Sequence, residues 1–148
     1  DVIMLGEMRD LETISTTITA AETGHLVLAS LHSGTAIQTL ERIIDIFPPH
    51  QQTQLRLQLA NCLQGVINQQ LLCRADGKGR ILAVEVMIAT PAVRNLIREN
   101  KIHQIYSSMQ TGSSFGMVTM EKAMQELWHQ RLISDEEASK QGLVWGRS

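Results

Sequence analysis

The chain has 148 residues, of which 43% are hydrophobic and 19% charged, with a formal net charge of −2. That length suits one domain or a large part of one, and the apolar share supplies a packed core rather than a disordered coil. The balanced charge gives no reason to expect nucleic acid or anionic lipid as a partner, and the longest apolar runs are far too short to span a bilayer.

In chain order, Val2-Ile3-Met4-Leu5 ends at Gly6 and has the length and branching of a buried strand. Asp10 offers an N-cap to a helix whose Leu11, Ile14, Ile18 and Ala21 recur at helical spacing, and Gly24 can close it in the left-handed conformation. His25–Leu31 is a second buried-strand candidate. Strand, helix and strand within about thirty residues make a βαβ unit, so the two strands are expected to be parallel. Thr35–Phe47 reads as an amphipathic helix stopped by Pro48-Pro49, and Gln51–Leu63 as a third helix. Val66–Arg74 and Arg80–Ile88 flank Asp76-Gly77-Lys78-Gly79, which predicts a hairpin. The alternative has Val66–Leu72 continuing the preceding helix.

From Thr90 the pattern turns helical. Helices are expected from Pro91 through Asn100, from Ile102 to Met109 and from Thr119 to Gln130, with a Gly/Ser loop over Thr111–Gly116. Ser134 with Glu137 forms a capping-box pattern for a last helix through Gln141. The expected organisation is α/β over 1–90, helical over 91–142, and a frayed tail over 143–148.

Cys62 and Cys73 lack the spacing of a zinc knuckle and are too few for a disulfide framework, so two reduced thiols are expected. Asp1 opens directly into an apolar run without Met or leader. The expectation is a piece of a longer, cytoplasmic protein.

Three groups carry chemistry. Glu7 lies just past the first strand, at the C-terminal edge where parallel α/β sheets bind ligands. A nucleoside triphosphatase needs a carboxylate there to meet Mg²⁺ through water or to orient the attacking water; many strands also end at an acid with no such task. His25 and His32 bracket the second strand, with His32 on the same edge as Glu7 and suited to contact a γ-phosphate. Roughly 20 Å apart along an extended strand at about 3.3 Å per residue, they cannot share an ion, and no metal site is expected. On the helix 92–99, Arg94 and Arg98 share a face at i, i+4, as a docking surface or as an ordinary solvated face.

The strings Leu5-Gly-Glu-Met-Arg-Asp-Leu-Glu-Thr-Ile14, Thr19-Ala-Ala-Glu-Thr-Gly-His-Leu-Val27 with Leu31-His32, Ala92–Glu99, and Gln-Thr-Gly-Ser-Ser-Phe-Gly-Met around Gly112 and Gly116 together resemble the PilT-like retraction ATPases of type IV pili, within the secretion ATPase superfamily. The resemblance covers nearly all of residues 1–140. It implies the C-terminal half of a RecA-like P-loop core carrying the Walker B strand and histidine box, followed by a helical region. By the resemblance Glu7 polarises the attacking water and His32 approaches the phosphates. Arg9 and His25 are candidate nucleotide or inter-subunit contacts. Arg94, Asn95, Arg98 and Glu99 lie in a helix associated with retraction, where Val93 replaces the family's Ile.

ATP and Mg²⁺ are the implied cofactors. The implied assembly is a homo-hexamer at the cytoplasmic face of the inner membrane, working on a platform protein. No Gly-x-x-x-x-Gly-Lys-[Ser/Thr] occurs in the 148 residues, so this stretch alone is not expected to hydrolyse ATP. Pilus-assembly and type II secretion ATPases, which resemble one another in a four-cysteine zinc module, are the rival reading, and two cysteines without Cys-x-x-Cys disfavour it. A non-enzymatic interaction domain is the other alternative.

Overall fold

The computed structural model describes residues 1–143. Strand β1 (Val2–Leu5) leads through Asp10 into helix α1 (Leu11–Glu22), whose first turn is capped by the Asp10 carboxylate accepting from the Thr13 N–H at 2.8 Å. Gly24, at φ +98°, turns the chain out of α1 in the left-handed region that an L side chain rarely adopts. Strand β2 (Leu26–Ala29) returns alongside β1 in parallel, in the register Val2↔Leu26 to Leu5↔Ala29.

The expected burial of these strands does not hold. Val2, Met4, Leu26 and Leu28 share one face by that register, and each is at least half exposed. A parallel pair becomes a core element only when layers cover both of its faces, and the described residues supply cover on one side alone.

Helices α2 (Ala36–Asp45) and α3 (Pro49–Cys62) follow. Thr35 caps α2, and Pro48-Pro49 both ends α2 and starts α3, since proline suits a first helical turn and no later one. β3 (Gly65–Cys73) and β4 (Arg80–Ile88) form the expected antiparallel hairpin. The helical alternative for 66–72 does not hold: the whole stretch is paired with β4, in the register Gly65↔Ile88 to Cys73↔Arg80.

Helices α4 (Pro91–Arg98), α5 (Ile105–Thr111), α6 (Met120–His129) and α7 (Asp135–Lys140) complete the described chain. α4 stops two residues short of expectation. Asn100 takes φ +58°, while the Lys101 and Asn100 N–H groups bond back to the Leu96 and Ile97 carbonyls, closing the helix as a Schellman motif. The helix expected from Ile102 begins as a 3-10 turn (Ile102–Gln104), and the expected loop contains another (Ser113–Phe115). Ser134 caps α7, but Glu137 does not reach back to complete the box; its Oε1 instead accepts from the Cys73 N–H at 3.4 Å.

The main core joins α1 to α5 with Met87 and Met117; Ile14, Leu40, Ile97 and Ile105 are fully buried there. Each such side chain contributes about 1.5–3 kcal/mol relative to exposure. A second core packs Leu72 and Ala83 of the hairpin against Met124, Ile133, Ala138 and Leu143. Leu143 thus belongs to the packed chain, and the rest of the expected tail lies outside the described residues.

Candidate functional site

β1 ends at Leu5, and residues 6–8 are stitched to the matching end of β2. The Ser30 hydroxyl donates to the Gly6 carbonyl, and the Met8 N–H donates to the Ser30 carbonyl at 2.9 Å. Glu7 sits between those two ties. Its Oε2 accepts from Arg9 Nε at 2.6 Å, and its Oε1 lies 3.7 Å from His32 Nε2. The latter separation exceeds a hydrogen bond, and a water or ligand oxygen set to one side of the pair can bond to both atoms. The Glu7 side chain is 22% exposed, against 77% for Arg9 and 86% for His32. A recessed carboxylate therefore stands between a solvent-facing guanidinium and a solvent-facing imidazole at the C-terminal edge of the parallel pair.

The segment carrying His32 is fixed by α2. Arg42 donates to the His32 carbonyl. The Thr39 hydroxyl donates to the Thr35 carbonyl at 2.8 Å and lies 2.5 Å from the Ser33 hydroxyl. Gln38 Oε1 accepts from the Gly34 N–H at 3.1 Å. An open cleft beside His32 is lined by Gln38, Glu41, Arg42 and Asp45.

His25 is not brought to this cluster. It precedes β2 at the opposite end, with Nδ1 3.2 Å from the Ala20 carbonyl at the end of α1. Arg94 and Arg98 turn toward α3 instead of solvent alone. Arg94 donates to the Ala60 and Asn61 carbonyls at 2.6 and 2.9 Å, and Arg98 to the Asn61 side chain at 3.1 Å. Cations at a helix C-terminus satisfy its orphan carbonyls and its dipole. Asn95 and Glu99 bond to each other at 2.9 Å, and Lys101 pairs with Glu99 at 2.8 Å. The Lys101 bond, then the Asn95 bond, hold the Glu99 carboxyl below its ordinary range.

Among the described residues no group of three or more His, Cys, Asp or Glu side chains is placed to hold a metal ion, and no helix is long and apolar enough to cross a membrane. Sequence reasoning missed Ser30, Arg42 and Glu85. Only Glu85 left a trace in the sequence, as the lone acid within Ile81–Ile88.

The family model described as type II/IV secretion system protein matches residues 1–76, just over half of the chain. The chain belongs to this family. Among curated relatives, a twitching motility protein of Neisseria gonorrhoeae is 52% identical over 95% of the chain, and the type IV pilus retraction ATPase PilT of Pseudomonas aeruginosa 48% identical over 97%. The chain spans 37% and 42% of those two relatives' length. A solved structure of the pilus retraction motor PilT with bound ADP matches with a TM-score of 0.85 at 52% identity, over 95% of this chain and 39% of that one. The fold of this secretion-family chain is accordingly α/β, with the architecture of part of a RecA-like core followed by helices.

Proposed function

We propose that this chain is part of a hexameric motor that hydrolyses ATP to drive type IV pilus retraction, with residues 1–90 belonging to the ATPase core and 91–142 to the helical region. It would work at the cytoplasmic face of the inner membrane, against a platform protein of the pilus base. The observation that carries this reading is the recessed Glu7 carboxylate, 3.7 Å from His32 at the ligand-binding edge of a parallel strand pair. The similarity to a twitching motility protein and to a pilus retraction ATPase supports the same reading.

Phosphoryl transfer to water is catalysed mostly by positioning and charge stabilisation. Glu7 Oε1, the oxygen not taken by Arg9, accepts a hydrogen bond from the attacking water and aims it at the γ-phosphorus. His32, its backbone held by Arg42, meets a γ-phosphate oxygen. Arg9 lies exposed beside Glu7 and serves as the contact to a neighbouring subunit's nucleotide. Bound Mg²⁺ would neutralise charge on the phosphates. The donor set here fits that ion only through water on Glu7, because the phosphate-cradling loop with its lysine and hydroxyl is not among these 148 residues.

In a full-length protein of the relatives' size, Glu7→Gln is expected to lower ATP turnover by about 10²–10³-fold with nucleotide binding retained. Undiminished turnover in that variant would overturn the reading. The 148-residue chain by itself is expected to show none.

A further inference from the structure

Glu85, a carboxylate buried in the middle of β4, takes no part in the proposed hydrolysis chemistry. It is 3% exposed, and both of its oxygens are engaged. Oε1 accepts from the Ala36 N–H at 2.7 Å and from Asn68 Nδ2 at 3.1 Å; Oε2 accepts from the Met120 N–H at 3.2 Å. Ala36 is the first residue of α2, and Met120 the first residue of α6. One carboxylate thus closes two helix N-termini at once, where orphan N–H groups and helix dipoles both favour an anion.

The two helices lead to different parts of the molecule. α2 holds His32 through Arg42, Ser33 through Thr39 and Gly34 through Gln38. α6 belongs to the second core, with the C-terminal helices. We propose that Glu85 is a positioning residue that ties the His32 segment to the C-terminal helices, so that a displacement of α6 is felt at His32. The inference rests on the proposed ATPase reading.

A hydrophobic residue at position 85 would leave the Ala36 and Met120 N–H groups buried without partners, so the carboxylate is needed for the fold as well. The test must separate that need from positioning. Glu85→Gln sets an amide N–H₂ against one of the N–H donors. Met120→Pro deletes one donor and keeps the carboxylate. Proline suits a first helical position, and Thr119 ahead of it is extended at φ −77°, ψ 153°. The Val86–Val118 backbone pair, with bonds of 2.8 and 3.0 Å, still docks the start of α6 in that variant. Met120→Ala, which shortens the side chain and keeps the N–H, is the control for packing.

The experiment measures kcat and KM for ATP in the full-length protein, beside wild type and Glu7→Gln. Misplacing a catalytic group costs up to about 10²-fold. Glu85→Gln and Met120→Pro are expected to lower kcat about tenfold relative to Met120→Ala, with KM within about twofold, because His32 acts at the hydrolysis step. If Glu85→Gln does not fold, Met120→Pro against Met120→Ala decides alone. A fall in melting temperature with kcat unchanged, while Glu7→Gln abolishes turnover, overturns the positioning role and leaves the ATPase reading intact. Equal turnover in wild type and Glu7→Gln removes the ATPase reading, and this inference with it.

Discussion

Cys62, in the last turn of α3, and Cys73, at the end of β3, meet different surroundings. Cys62 is half-buried and Cys73 exposed. Burial pushes the Cys62 thiol up, and the nearby Glu22 charge pushes the same way. A raised pKa means less thiolate at any given pH, so the reactive window of Cys62 moves to higher pH. Iodoacetamide near neutral pH is therefore expected to label Cys73 well before Cys62, as read by mass spectrometry of the digested protein. Labelling of Cys62 first would show that the α3 end of the core opens readily. At this scale the sequence reveals a residue's location only when its place on an element decides it. The proximity of Glu7 and His32 was legible because both follow parallel strands at one edge. Arg42 was not, because its reach to a carbonyl ten positions back depends on how α2 folds against that loop.

Between elements, the contact of α4 with α3 turns on two arginines that spacing alone could not orient. The i, i+4 rule puts Arg94 and Arg98 on one face and is silent about what that face meets. In the structure it meets the C-terminal carbonyls of α3, and Asn95, Glu99 and Lys101 make their own cluster beside it. Charge-assisted bonds to two carbonyls make Arg94 the stronger tie, and Arg98 has one bond to an exposed side chain. Arg94→Ala is expected to cost about 1–2 kcal/mol and Arg98→Ala less than about 0.5 kcal/mol, measured by urea unfolding. Equal losses would mean that packing of the aliphatic stems, rather than the carbonyl bonds, joins the helices. Most helix starts were legible, because Asp10, Thr35, Thr90, Thr119 and Ser134 each open a helix by capping; α3 begins at Pro49, two residues before the expected Gln51, because the proline that stops one helix also fits the first turn of the next. The end of α4 was not, because its Schellman closure uses Asn100 where glycine is usual.

Over the whole molecule, the parallel pair is the least covered part. Val2, Met4, Leu26 and Leu28 present a continuous apolar face, and Ile67, Leu71 and Leu82 of the hairpin are exposed as well. From the sequence both strands of the pair read as buried, because an apolar run tells the chemistry of a strand and not which layers lie over it. Within a protein of the relatives' length, the face of the pair is expected to be covered. The 148-residue chain should bind a hydrophobic dye such as ANS, and the full-length protein should bind far less of it per copy of the strand pair. Equal dye binding by both would show that the open face persists.

That face also sets what can lie against it. A covering layer must bring apolar side chains of its own to Val2, Met4, Leu26 and Leu28, because a polar layer would give up its water there without finding a hydrogen-bond partner in those four side chains.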